Sequence, residues 1–236
     1  MTTREFSDGF DSYVSSYRRF KDFDKKEELD SIEFNEYEKS LFLTQAQDEI
    51  VVGLYSGRNA FGESFEATEE LRRYLEPLVK QIVYANSDRV EGEGVSSSSV
   101  FYNLPSDIAY IIYEKVTFAN DLGCLSGISA NVYPVTHDEY NRVARNPFRG
   151  PTVYKALRLD AGNGKVEIIS AYRFSSYQMR YLSKPSPIVL EDMPEGVSVN
   201  GADKEAGCAL PETLHDTILR RACELALASK GIQVKS

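Results

Sequence analysis

The stretch ANVYPVTHDEYNRVARNPFRGP, residues 130–151, decides the fold, because it holds a strand, a short helix and a proline-bounded loop in 22 residues. Ile128, Val132 and Pro134 read as an extended segment. Thr136 with Glu139 three residues later has the form of a capping box opening a helical turn, and Asn146-Pro147 ends it, since a residue before proline is pushed out of the helical region. Phe148-Arg149-Gly150 then sits between Pro147 and Pro151, two residues that fix backbone shape. The segment carries no catalytic cluster and reads as a surface for a partner.

Downstream and upstream of it lie further short strands. VFYNLP from Val100, IIYEKVTFA from Ile111, TVYKALRLD from Thr152, KVEIIS from Lys165 and SSYQMRYLS from Ser175 are rich in β-branched and aromatic residues and bounded by turn chemistry. The sequence predicts one antiparallel or mixed sheet. Asp160-Ala161-Gly162-Asn163-Gly164 is the clearest hairpin turn, because glycine and asparagine tolerate positive φ. Helical periodicity lies toward both ends of the chain. Phe6, Phe10, Tyr13 and Tyr17 mark a helix over 5–20, separated by the charged run KDFDKKEELD from the next. Asn35 and Glu38 form a second capping box, after which Leu43, Ala46, Ile50 and Leu54 recur on one face up to a glycine C-cap at Gly57. A third helix is predicted over 68–84, kinked or divided at Pro77. The last begins near Leu210 with Pro211 in its first turn and ends at Gly231.

The fold class is therefore α+β: helices from the N- and C-terminal regions packed together, and a central, mainly antiparallel β-sheet region. The predicted division is 1–85 with 208–236 as the helical region, 86–99 as a flexible Gly/Glu/Ser-rich loop, and 100–207 as a β-rich region with extended loops. Within the last of these, KPSPIVLED from Lys184 reads as an extended arm reaching outward, since Pro185 and Pro187 forbid a regular central strand.

Composition removes several function classes. The net charge of −9 argues against general nucleic-acid affinity, which rests on phosphate neutralisation by a basic face. One local exception gathers Arg142, Arg145, Arg149, Lys155 and Arg158 into a basic stretch suited to an acidic neighbour. No apolar run approaches the roughly 20 residues of a membrane span, and the N-terminus lacks the apolar region of a secretory signal, so synthesis in a cytoplasm is expected. Cys124, Cys208 and Cys223 are odd in number and widely spaced, unlike a disulfide framework; Cys223 reads as a small buried hydrophobe. Phosphate-loop, zinc-protease and hydrolase-elbow motifs are missing. His137-Asp138-Glu139 is the strongest acid–base candidate, yet neighbours in a helical turn do not all face one site, and capping explains them as structure. No cofactor or metal site is expected. Fifteen tyrosines and twelve phenylalanines supply many of the amphipathic rings enriched at interfaces.

The segment THDEYNRVARNPFRGP, followed by YKALRLD, KVEIIS and YLSKPSPIVLED in that order, resembles a virion protein family of crAss-like bacteriophages. NEYEKSLFLTQAQDEIV from Asn35 is similar to that family's N-terminal helix, and CALPETLHDTILRRACELA from Cys208 to its closing helix. The resemblance implies a non-enzymatic head-to-tail connector: a homo-oligomeric ring in the neck, twelvefold order matching the portal, contacts to the portal protein and to other neck or tail rings, and genomic DNA met only by passage through the channel. It places the protein in the virion. The residues expected to make contacts are Arg142, Arg145, Asn146, Pro147, Phe148, Arg149 and Gly150 in the loop, and Lys184, Pro185, Pro187 and Ile188 in the arm. A hydrolase using His137, or a soluble regulatory binding module, are the alternatives from other classes.

Overall fold

The computed structural model describes residues 1–20, 33–58, 62–194 and 196–232. The charged run at 21–30 predicted between the first two helices lies outside the described residues. The chain divides into two compact units, one formed by Met1–Leu78 with Pro185–Ser236 and the other by Val79–Lys184. Among the described residues the class is α+β, with five α-helices and a seven-stranded sheet.

The first unit is built on helices α1 (Thr3–Phe20), α2 (Glu36–Ser56), α3 (Glu69–Leu75) and a C-terminal helix, His215–Ser229. Asn35 and Glu38 make both bonds of the capping box on α2, and Gly57, at φ 80°, closes it in the left-handed region. The C-terminal helix follows a short 3-10 turn, Glu212–Leu214, and lies against α1 closely enough that a Cβ on Gly9 would stand 2.7 Å from Leu219 Cδ2. Phe6, Phe10, Leu43, Ala46, Ile218 and Ala222 form part of the core they share. Cys223 belongs to it too, and burial pushes its thiol up to about 12.

One face of α2 is polar and buried. Ser40, Thr44 and Gln47, spaced to share a face, all hydrogen-bond the chain from Ser186 to Leu190. The Ile188 N–H donates to Thr44 Oγ1 at 3.0 Å, the Leu190 N–H to Ser40 Oγ at 3.1 Å, and Gln47 Nε2 donates to the Ser186 carbonyl at 2.8 Å. Ile188, Val189 and Leu190 are buried. The segment read as an outward arm is extended, as its prolines require, but its latter half packs inward on α2. The helix supplies the backbone partners that a sheet neighbour would otherwise supply. Ile188 is therefore core in this subunit, while Lys184 remains exposed and Pro185 and Pro187 are half-buried.

The second unit is the sheet. Its strands are β1 (Val79–Ala85), β2 (Ser99–Asn103), β3 (Ile108–Phe118), β4 (Ser129–Pro134), β5 (Lys155–Gly162), β6 (Lys165–Ile169) and β7 (Phe174–Ser183), in the order β1-β7-β3-β4-β5-β6-β2. Every pair is antiparallel except β4 with β5. The β5–β6 hairpin turns through Gly162, Asn163 and Gly164, all at positive φ. Residues 79–84, predicted to continue a helix, belong to β1 instead. Pro77 sits in a 3-10 turn, Glu76–Leu78, that ends α3, and pairing from Val79 with Leu182 to Ala85 with Ser176 decides the rest. Long-range pairing overrides the helical spacing of Leu75, Leu78 and Ile82.

β1 and β2 are opposite ends of that order, yet their side chains meet. The Tyr84 and Tyr102 rings lie 5.1 Å apart, and Tyr84 Oη donates to the Asn103 carbonyl at 2.7 Å. The sheet thus curls around an aromatic interior that also holds Tyr177 and Phe174, with Ala130 and Ala156 giving room for the bend. Burial pushes the Tyr84 phenol up to about 12.

The seating of residues 186–190 on α2 is open to a direct check. Replacing Thr44 by Val keeps the shape of the side chain and orphans the buried Ile188 N–H, so Thr44→Val is expected to cost about 1–3 kcal/mol. Urea unfolding followed by circular dichroism measures it; an unchanged midpoint would show that the hydroxyl contributes nothing.

Candidate functional surface

A parallel strand pair requires a crossover, and here the crossover from β4 to β5 is the stretch that the sequence singled out. α4 (His137–Ala144) starts at Thr136, which occupies the N-cap position without the side-chain bond of the expected capping box. The Thr136 hydroxyl bonds the Asp138 carboxylate instead and, with backbone N–H groups, holds it below the usual carboxylate range. Val143 is the buried residue of α4, packed with Tyr140 and Val135 onto Leu157, Leu159 and Ile169. This pins the helix to the outer side of β5 and β6.

After α4 the chain makes a closed turn. The Asn146 carbonyl accepts from the Arg149 N–H at 3.1 Å and from the Gly150 N–H at 2.8 Å, and Asn146 Oδ1 accepts from the Phe148 N–H at 2.9 Å. Pro147, at the second position, has the φ that such a turn needs. Gly150 is buried at its end; a Cβ there would lie 2.9 Å from the Ala144 carbonyl oxygen and 3.0 Å from that of Asn146. A second tight turn follows, closed by the Thr152 N–H donating to the Lys155 carbonyl at 2.8 Å. The two turns hold large rings in solvent: Phe148 is 90% exposed and Tyr154 75%. Two large rings held in solvent on neighbouring tight turns are aromatic side chains of the kind enriched at interfaces.

The basic stretch separates into paired and unpaired members. Arg142 pairs with Glu139, and Lys155 lies over the Tyr133 ring at 4.9 Å. Arg158 is buried: its Nη1 donates to Glu114 Oε2 at 2.6 Å, and Tyr177 Oη donates to the other carboxylate oxygen. Burial raises the Glu114 carboxyl above its ordinary range while Arg158 and Tyr177 pull the other way. Arg145 and Arg149 remain, both exposed and with no ion-pair partner among the described residues. The five-residue cluster read from the sequence is thus two free guanidiniums flanking the turn at Phe148.

The sequence reading missed Glu114 as the partner of Arg158, although its parity with Val116 and Phe118 on β3 marked an inward side chain. The structure brings Arg142, Arg145, Asn146, Pro147, Phe148, Arg149 and Gly150 together on one crossover. Lys184, Pro185, Pro187 and Ile188 belong to a different segment, the one laid on α2 from Ser186 onward. His137, the acid–base candidate, is exposed, with a ring nitrogen 3.0 Å from the Asp160 carbonyl, and Glu139 is taken up by Arg142. No group of three or more metal-ligating side chains occurs among the described residues, and no helix among them is long and apolar enough to cross a membrane.

A family model described as phage tail ring protein 3/4 matches residues 1–236. The chain is 46% identical over 234 residues to a protein named Ring protein 3 of Bacteroides phage crAss001, covering 98% of this chain and 96% of that one. It is 29% identical over 214 residues to a second protein of the same phage, named Ring protein 4/5, covering 83% of each.

The closeness of Gly150 to two carbonyl oxygens gives a specific expectation. Gly150→Ala forces the turn open at a site with no flexible side chain to yield, costing about 1–3 kcal/mol and displacing Phe148. Thermal unfolding with limited proteolysis at 145–151 would detect both effects; unchanged melting and unchanged cleavage would contradict the turn as described.

Proposed function

The chain belongs to the phage tail ring protein 3/4 family, and from that premise we propose that it is a structural ring subunit of the head-to-tail connector in a crAss-like phage virion. The match over the full length, together with 46% identity to a protein named for a ring, is the observation that carries this reading. Its role is assembly rather than catalysis: identical subunits join head to tail and close into a ring when the rotation closes. The ring stands in the neck between portal and tail, in twelve copies matching the portal, and touches the portal protein and further rings. The net charge of −9 suits a wall that DNA passes without sticking, since like charge discourages adsorption.

The crossover turn from Arg142 to Gly150 is the contact element in this reading. Its bonds are made before any partner arrives, so little conformational freedom is lost on docking. Lys184, Pro185 and Pro187 are a secondary contact; Ile188, being core, contributes by holding the segment in place.

Cryo-electron microscopy of purified particles of the phage that encodes this chain tests the proposal. The expected result is a closed ring of this fold beside the portal, with the turn at Phe148 in an intersubunit contact. A particle whose neck lacks the chain would overturn it.

A further inference from the structure

A ring closed by head-to-tail contacts needs two different surfaces on one subunit, a projecting one and a receiving one. The crossover turn is the projecting one. In the other unit, α2 carries exposed apolar side chains outside its buried faces. Its inner side packs into the core, whereas Leu41, Gln45, Asp48 and Val52 recur at helical spacing on the outer side. Leu41 is 38% and Val52 44% exposed. They line a groove of about 720 Å³ with Phe42 and Val199, a volume in the range of sites that enclose several side chains. Arg58 and Glu49 also line it, but Glu49 is already paired with Arg221 at 2.8 Å. Asp48 has no ion-pair partner among the described residues, and apolar neighbours that strip its water raise its carboxyl above the ordinary range.

We infer that this groove on α2 receives the Phe148 turn of a second copy of the same chain. The inference rests on the ring reading above. Phe148 fills the space between Leu41 and Val52, and Arg149 reaches Asp48. An exposed ring with unpaired guanidiniums beside it meets a mixed recess, in which Leu41, Val52 and Val199 are apolar and Asp48 supplies a carboxylate with no ion-pair partner among the described residues. An aromatic ring of this size buries about 150–250 Å² when fully enclosed, enough to make it the anchor of a contact. The charges fix register and exclude the reversed arrangement, because Arg149 cannot meet another Arg149 favourably.

A charge exchange in the full chain tests it. Arg149→Glu and Asp48→Arg are each expected to lower the ring fraction by about tenfold or more at fixed concentration, while the monomer melts as before, since both side chains are exposed. The double variant restores the pair with its signs reversed and is expected to recover ring formation to within about threefold of the parent, the non-additivity expected of residues in contact. Ring fraction is read by negative-stain microscopy and mass photometry, and folding by circular dichroism. Normal assembly of either single variant, or two impaired singles with no recovery in the double, overturns the groove as the receiving surface. If the parent chain forms rings in those experiments, the ring reading survives that failure. A parent chain that forms no ring alone and is absent from rings in particles overturns both.

Discussion

A carboxylate and a guanidinium buried in one face of a sheet must satisfy each other, and the pairing of Glu114 with Arg158 is the constraint on which the second unit depends. Glu114 is on β3 and Arg158 on β5, with β4 between them, so the bond spans the parallel strand pair. Tyr177 on β7 donates to the same carboxylate. Three strands are thereby tied to one another across the inside of the curl. Removing one partner of such a pair leaves an uncompensated buried charge, at a cost of about 3–5 kcal/mol. The network therefore contributes less to net stability than to register: it sets where β5 lies, and hence where the crossover before it returns.

From that fixed point the display of the crossover follows. Leu157 and Leu159 alternate with Arg158, so their side chains take the outer face of β5 and give α4 a place to rest through Val143. With α4 seated, the chain has the four residues between Arg145 and Gly150 in which to turn, and the hydrogen bonds at Asn146 close that turn without a partner. Phe148 is consequently exposed for a structural reason. Buried polarity in the other unit works in the same manner. Ser40, Thr44 and Gln47 hold an extended segment that lies outside the seven-stranded sheet, which leaves the adjacent outer side of α2 to carry Leu41 and Val52.

Much of this was legible in the sequence wherever a local signal decides structure. The capping box at Asn35, the glycine stop at Gly57, the hairpin at Gly162-Asn163-Gly164 and the Asn146-Pro147 break all lie where short-range chemistry put them. Apart from the capping box at Thr136, whose hydroxyl is taken by nearby Asp138, the failures share a cause, which is that the deciding partner is distant in sequence. β1 forms at residues 79–85 because β7 is there to pair with it, about a hundred residues away. The segment at 186–190 turns inward because three polar residues on α2, which look like a solvated face when read alone, accept and donate to its backbone. Arg158 leaves the basic stretch because Glu114 waits on another strand. The contact turn was readable as a shape; which of its charges stay free was not.

The central claim is that the crossover turn is formed in the isolated subunit and is covered when subunits close into a ring. Hydrogen–deuterium exchange of the full chain, as monomer and as assembled ring, addresses it most directly. The account predicts that amides of residues 145–154 already exchange more slowly than an unstructured loop in the monomer and slow by a further factor of about ten in the ring, while β5 and β6 change little. Identical exchange over 145–154 in both states would contradict it.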